Sequence, residues 1–164
     1  MARVYLTALL CVLSAVLISS NEARPLIQPL LIQGRVYCDT CVAGFETSKS
    51  TYIAGAVVEV ACKDRATMDL LYTRRATTDI TGTYYLPVYE DHANQVCDVR
   101  PISSPMFGCN KISEVHQGSR IPLTTNNGIA TLTRQANSLA FVREEAMAGC
   151  AEVLKQYMEV ENKK

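Results

Sequence analysis

The 164-residue sequence predicts a mainly β fold: a single disulfide-stapled β-barrel or sandwich of about seven strands with one C-terminal α-helix. Three observations lead to this prediction. Short runs rich in β-branched residues recur between turn signals. A proline-free stretch near the C-terminus carries apolar residues at helical spacing. An even set of cysteines follows an apolar leader, which is typical of a disulfide framework.

The leader is predicted to be a cleaved signal peptide. Arg3 supplies a positive start, and residues 4–18 form an uncharged apolar run that is too short to span a bilayer comfortably. We therefore assign residues 1–23 to the leader and residues 24–164 to one secreted domain. An uncleaved membrane anchor is the alternative, but it needs a longer apolar stretch.

Charge gives no reason to expect a polyanionic partner. The sequence has sixteen basic and sixteen acidic residues, and removing Arg3 and Glu22 with the leader keeps the balance at zero. Neither nucleic-acid binding nor attraction to an anionic membrane is indicated. No second apolar segment suggests membrane insertion, and no Asn-x-Ser/Thr glycosylation sequence occurs.

The strands are predicted from five runs, at residues 30–37, 55–62, 69–77, 82–88 and 95–102. Pro87 and Pro101 confine the ends of the last two runs to sheet edges or strand termini. Asn126-Asn127-Gly128 is a strong turn signal, so residues 120–124 and 129–134 are predicted to be the two arms of a hairpin.

The helix is predicted over residues 143–158. This stretch contains no proline and one glycine, Gly149. Five residues recur at intervals of three and four and would share one face: Cys150, Val153, Leu154, Tyr157 and Met158. We therefore expect one helix packed on the β core.

The cysteines of the mature chain can pair in 15 ways. If Cys38 and Cys41 both lie in an extended strand, their Cα atoms are about 10 Å apart, which is beyond disulfide reach. They should then bond to different partners, although a turn between them would weaken this argument. In an oxidising compartment, disulfides are favoured over a zinc or thiol-redox interpretation of the pair.

Residues 33–41, Q-G-R-V-Y-C-D-T-C, resemble the signature of the Ole e I and extensin-like family of plant pollen proteins, typified by the major olive pollen allergen. The likeness continues through G-F-E-T at residues 44–47 and D-I-T-G-T-Y-Y-L-P-V at residues 79–88, and it covers essentially the whole mature chain. One position departs from the family: Val42 stands where the signature usually has arginine.

The resemblance implies a compact β-barrel and a specific connectivity. The implied pairs are Cys38 with Cys109, Cys41 with Cys150, and Cys62 with Cys97. Such links close loops of about 35 to 110 residues, worth about 3 to 5 kcal/mol each in the chain-entropy model. The resemblance also implies an extracellular or cell-wall role in pollen hydration and tube growth, with a receptor-kinase ectodomain as a partner in related proteins.

No catalytic residue, metal ligand or cofactor-binding residue is predicted. Asp91 with His92 could be half of a hydrolytic site, and Glu114 with His116 could bind a metal. Neither pair comes with a nucleophile motif or a recognised ligand spacing. We therefore interpret both histidines as solvated loop residues. Glu144 and Glu145 are adjacent and should diverge on a helix.

Tyrosines offer a possible binding surface. Tyr84 and Tyr85 are neighbours on a predicted strand, so one should face inward and the other outward. Core or edge packing is the simpler role for most tyrosines, because the sequence has no tryptophan and three phenylalanines. Four others could nevertheless add exposed rings: Tyr37, Tyr52, Tyr72 and Tyr89.

Two function classes remain open. The first is a secreted, non-enzymatic protein that binds a receptor-kinase ectodomain or a cell-wall component, with loops 45–53 and 91–94 held rigidly for recognition. The second is an enzyme, or an enzyme inhibitor, that acts on the wall. A concave pocket with convergent polar groups would distinguish them, and the sequence does not reveal one. The sequence does not indicate an oligomeric state.

Overall fold

The computed structural model describes residues 28–161, so the predicted leader, residues 1–23, lies outside the described part. The elements are β1 (Leu30–Asp39), β2 (Thr51–Tyr52), β3 (Val57–Asp64), β4 (Leu70–Thr77), β5 (Thr83–Val88), β6 (Gln95–Ser103), β7 (Lys111–Ile112), β8 (Ser119–Arg120), β9 (Thr133–Gln135), β10 (Leu139–Val142) and α1 (Cys150–Glu161). No helix among these residues is long and apolar enough to cross a membrane.

The strands form two sheets. One has the order β2-β1-β10-β7, with β5 and β9 also paired to β1, and the other has the order β4-β3-β6-β8. The mainly β class and the C-terminal helix are confirmed, but closure into a barrel and the count of about seven strands are wrong. The additional strands are mostly two or three residues long, too short to carry a readable sequence pattern.

The long strand β1 organises the first sheet. Its first half pairs with β5 antiparallel and β9 parallel, and its second half pairs with β10 parallel and β2 antiparallel. Alternating residues of β1 and β5 point into a common core with those of β3. Tyr84 is fully buried whereas Tyr85 is half exposed, as predicted for neighbours on a strand.

A glycine in β1 makes room for a core tyrosine. Gly34 lies opposite Tyr84 in the β1–β5 register. A Cβ atom on Gly34 would fall 2.6 Å from Tyr84 Cζ and closer still to Oη. The phenol therefore crosses β1 at the one position that lacks a side chain.

Three disulfides connect the elements. Cys38 bonds to Cys109, Cys41 to Cys150, and Cys62 to Cys97. These are the pairs that the family resemblance implies, and they give Cys38 and Cys41 different partners. The first two anchor the loop before β7 and the start of α1 to the end of β1.

A buried carboxylate on β3 joins three strands. Glu59 lies opposite Arg75 on β4 and Arg100 on β6. Its carboxylate accepts hydrogen bonds from Arg100 at 2.6 and 3.2 Å and from Arg75 at 2.8 Å. These bonds, led by that from Arg100, lower the pKa of Glu59 below its ordinary value of 4.5.

The predicted hairpin around Asn126-Asn127-Gly128 is wrong. β8 pairs with β6, and β9 pairs with β1, so its proposed arms belong to different sheets. The buried guanidinium of Arg134 holds the intervening loop instead, because it donates to the carbonyl oxygens of Pro122, Thr124 and Thr131.

The helix also begins later than predicted, at Cys150 rather than at residue 143. Residues before it are tied to the end of β1: Arg143 N donates to Asp39 O, and Met147 N donates to Thr40 O. Gly149 then adopts a φ of +79°, which interrupts a helical path. These contacts keep residues 143–149 out of the helix, although the segment contains no proline.

Candidate functional site

The two loops expected to act in recognition lie at opposite ends of β1. Loop 45–53 follows the Asp39 end, whereas Asp91 lines a pocket with Leu30 at the other end. A ten-residue strand spans about 30 Å. The loops therefore do not form one contact surface.

Asp91 and His92 do not form a catalytic pair. The Asp91 carboxylate accepts hydrogen bonds from Ala93 N at 2.8 Å and Thr124 Oγ1 at 2.9 Å, and these lower its pKa. His92 is 3% exposed, with Nδ1 3.0 Å from Gln95 Oε1. The prediction of a solvated His92 is wrong, because the residue turns inward against the β3–β6 strand pair.

His116 is a structural bridge in this arrangement. It is half-buried, with Nε2 3.0 Å from Gly44 O and its ring edge toward Tyr37. This corrects the expectation of a solvated histidine here too. The contact joins the loop between β7 and β8 to the loop that follows β1. Burial raises the pKa of the neighbouring Tyr37 to about 12.

Exposed apolar residues instead collect beside β7, the edge strand of the first sheet. We call this area the β7–β10 surface. Its members, which come from four separate segments of the chain, are the exposed Val42, Phe107, Ile112 and Val115 and the half-buried Val142. Phe107 is 99% exposed, Val115 68% and Val42 50%. Scattered apolar residues are normal on a protein surface, whereas a contiguous group is a candidate interaction site.

Two pockets meet at the centre of this surface. One, of about 290 Å³, lies among Val42, Ile112 and Val115, and the other, of about 410 Å³, lies beside Phe107. Val142 lines both pockets. The surface is therefore continuous across β7 and β10 and offers two recesses for side chains of a partner.

The loop that carries Val42 is fixed by a buried acid. The Asp39 carboxylate, 1% exposed, accepts hydrogen bonds from the backbone N–H groups of Cys41, Ala43 and Gly44. Val42 consequently adopts a φ of 51°, a conformation that costs a side-chain-bearing residue about 1–2 kcal/mol. The hydrogen bonds offset this strain and present the valine beside the first pocket.

Charged residues of both signs border the apolar centre. Lys111 and Glu114 line the first pocket, and Arg143, Glu144 and Glu145 line the second. Glu144 and Glu145 are both exposed, in the irregular segment before α1 rather than on a helix. An apolar centre inside a charged rim is the usual composition of a protein–protein interface.

Tyrosines contribute little to this surface. Tyr37 and Tyr84 are buried, and Tyr52 and Tyr72 are partly buried. Tyr85 and Tyr89 are exposed, but they lie on and just after β5, which pairs with the first half of β1. The simpler sequence interpretation, core and edge packing, therefore describes most of the tyrosines.

Comparison with known proteins places this architecture in a family. The family model described as "Pollen protein Ole e 1 like" matches residues 28–158. The Olee1-like protein of Betula pendula is 36% identical, over 90% of this chain and 87% of the relative. Pollen-specific protein C13 of Zea mays is 37% identical, over 91% of this chain and 88% of the relative.

A solved structure has the same fold. The crystal structure of the major plantain pollen allergen Pla l 1 superimposes with a TM-score of 0.67 and 29% sequence identity. The match covers 74% of this chain and 98% of the allergen. From its sequence match and its fold, the chain belongs to the Ole e 1-like family of pollen proteins.

Proposed function

We propose that this chain is a secreted pollen protein that acts by binding a protein partner at the β7–β10 surface, without chemical turnover. Family membership and relatives named as pollen proteins support the tissue. Three disulfides and the predicted leader support an extracellular location. The partner we favour is a receptor-kinase ectodomain, with a cell-wall component as the other candidate.

The exposure of Phe107 carries this proposal. An aromatic side chain that is 99% exposed forgoes the stabilisation of burial, about 25 cal/mol per Å² of apolar area. It is positioned two residues before Cys109, whose disulfide ties this loop to β1. A rigidly held aromatic anchor is typical of interfaces, where few residues supply most of the binding energy.

The enzyme alternative has less support from the geometry. Asp91 is engaged by Ala93 and Thr124, and His92 faces the core, so the acid–histidine pair that the sequence suggested as half of a hydrolytic site is not assembled. The pockets of the β7–β10 surface are lined mainly by apolar and charged rim residues rather than by a nucleophile with a base. This composition favours recognition over reaction.

Affinity capture from pollen membranes tests the proposal. The oxidised mature protein serves as bait beside a Phe107→Ser, Val115→Ser double variant. Ile80→Ser is the matched control, because Ile80 is 93% exposed and lies in the turn between β4 and β5. We expect the wild type and the control to retain the same membrane protein, and the double variant to bind it at least about ten-fold more weakly.

Two results would contradict the proposal that the chain binds a protein at the β7–β10 surface without chemical turnover. Equal capture by the double variant would remove the β7–β10 surface as the binding site. Hydrolysis of a wall glycan or ester by the pure protein would favour the enzyme instead.

A further inference from the structure

Three buried side chains with metal-binding chemistry meet between β3 and β6. Cys62 and Cys97 face each other in the strand register and form a disulfide, and His92 precedes β6. One imidazole nitrogen and the two sulfur atoms all lie within 4.8 Å of one another. Within residues 28–161 this is the one group of three such side chains.

The imidazole is held in place from several directions. The backbone N–H of His92 donates to Leu123 O, and the ring packs on Tyr72 with centroids 4.6 Å apart. Nδ1 lies 3.0 Å from Gln95 Oε1, an acceptor that places the proton on Nδ1. Nε2 then carries a lone pair, and this buried nitrogen has no hydrogen-bond partner among the described residues.

An unpartnered buried nitrogen is costly and requires an explanation. Proteins commonly orient a metal-binding histidine by a hydrogen bond to its other ring nitrogen, as Gln95 does here. The disulfide withholds the two remaining ligands, because thiolates and not disulfides are the strong metal-binding form of sulfur. Reduction of the disulfide therefore supplies the two thiolates of a three-ligand set.

We infer that opening the Cys62–Cys97 disulfide creates a Cys₂His site for a soft d¹⁰ cation, Cu⁺ or Zn²⁺. Two thiolates and one imidazole form a donor set that these cations prefer over Mg²⁺ or Ca²⁺. The oxidation state of Cys62 and Cys97 thus controls the metal site: the disulfide does not bind the cation, and the reduced thiols do.

The opening step requires a dithiol reductant. Its thiolate attacks one sulfur of the disulfide and forms a mixed disulfide, and the other cysteine leaves as a thiolate that takes up a proton. The second thiol of the reductant then displaces the remaining cysteine, so that both cysteines are reduced and the reagent becomes a disulfide. Binding of the cation afterwards releases the two thiol protons.

The surrounding structure favours a reversible opening at this bond. A surface pocket of about 260 Å³ is lined by Cys97 together with Arg65 and Arg120. Arg120 is paired with Asp98, whereas Arg65 donates to the backbone carbonyl of Gln95, so the charge of Arg65 attracts an anionic thiolate. β3 and β6 pair along their whole length, from Val57↔Ser103 to Asp64↔Gln95. This pairing should keep the two cysteines adjacent after reduction.

The experiment uses the oxidised mature protein, treated anaerobically with one equivalent of dithiothreitol and then separated from the reagent. Alkylation and peptide mapping identify the reduced pair, and circular dichroism reports the fold. Zn²⁺ and Cu⁺ are then titrated separately against chromophoric chelators. We expect the first reduced pair to be Cys62–Cys97 and the folded, reduced chain to bind one cation of at least one of the two kinds.

Variants identify the ligands. His92→Gln should weaken binding at least about ten-fold, whereas the matched His116→Gln should not change it. Cys62→Ser with Cys97→Ser should abolish binding. As a second readout on the wild type, whichever of the two cations binds should shift the imidazole NMR signals of His92 and leave those of His116 unchanged.

Four results would overturn the inference: prior reduction of another pair, unfolding when this pair alone is opened, no uptake of either cation by the folded reduced chain, or uptake that shifts no His92 signal.

Discussion

Replacing Gly34 with alanine tests how the core tyrosine is accommodated. A Cβ at residue 34 would lie 2.6 Å from Cζ and 2.9 Å from Cε1 of Tyr84, distances that real Cβ atoms do not adopt. Tyr84 is fully buried in the main apolar core, where side chains are closely packed, so its ring can move only by displacing neighbouring side chains. Either the ring or the β1–β5 pairing must shift.

The magnitude follows from two opposing effects. Overpacking of this kind costs about 1–3 kcal/mol, and loss of unfolded-state freedom on replacing glycine returns about 0.4–1 kcal/mol. These ranges combine to a net loss of about 0–2.6 kcal/mol. Because three atoms of Tyr84 lie within 3 Å of the new Cβ, we expect Gly34→Ala to lower the free energy of unfolding by an amount in the upper part of that range, about 1–2.6 kcal/mol. Gly118→Ala is the control, because its Cβ would meet only Val99 O at an ordinary 3.6 Å.

A double-mutant cycle makes the test specific. Tyr84 Oη has no hydrogen-bond partner among the described residues, so Tyr84→Phe alone should be nearly neutral or stabilising. In the Gly34→Ala background it removes the closest clashing atom and should recover about 0.5 kcal/mol or more. Urea unfolding of the oxidised protein, followed by tyrosine fluorescence and circular dichroism, measures each value. If Gly34→Ala and Gly118→Ala unfold at the same urea concentration, the predicted clash between residue 34 and Tyr84 is refuted.

Further predictions concern the charge network, the disulfides and the leader. Glu59→Gln should lower the free energy of unfolding by about 1–3 kcal/mol at pH 7. The folded-state pKa of Glu59 is lowered. The difference in free energy of unfolding between the wild type and Glu59→Gln should therefore be largest above the unfolded-state pKa of Glu59 and should decline as pH falls through its folded-state pKa. A difference that stays constant between pH 7 and pH 3 would contradict this prediction. Replacing both Cys41 and Cys150 with serine should lower the free energy of unfolding, measured with urea, by about 3–5 kcal/mol. It should also release α1 from the sheet, which would be seen as faster amide hydrogen exchange in α1. Unchanged exchange would show that the Cys41–Cys150 disulfide does not hold the helix in place. Peptide mapping without reduction should recover the three disulfides of the structure, and a peptide joining Cys38 to Cys41 would contradict them. Mass spectrometry of exported protein should find its first residue between positions 20 and 25, and export of a chain beginning at Met1 would exclude cleavage.

Sequence reasoning succeeded where one local pattern determines the outcome. Successive side chains of a strand point to opposite faces of the sheet, so Tyr84 of β5 is buried and the adjacent Tyr85 is exposed. It failed where distant contacts decide. Nothing in the sequence near Arg134 indicates that its guanidinium will donate hydrogen bonds to three loop carbonyls. These bonds hold the segment that was predicted to form a hairpin.

The candidate site was difficult to predict for the same reason. Val42 and Phe107 are 65 positions apart in the chain, and each alone resembles an ordinary exposed apolar residue. The end of β1 and the Cys38–Cys109 disulfide bring their loops to the same end of the sheet. The polar sequence around His92 likewise does not reveal that this one side chain turns inward.

The parallel pairing of β1 with β9 and β10 has a consequence for biosynthesis. Leu31 pairs with Thr133 and Val36 with Leu139, so these partners are translated about 100 residues after β1. At a translation rate of about 5–20 residues per second, these partners are synthesised roughly 5–20 s after β1. During that interval β2 and β5 can already pair with one edge of β1, whereas the edge that β9 and β10 will occupy remains open to pairing with other nascent chains. The edge of β1 that β9 and β10 occupy therefore stays exposed to such mispairing until nearly the last strand has been made.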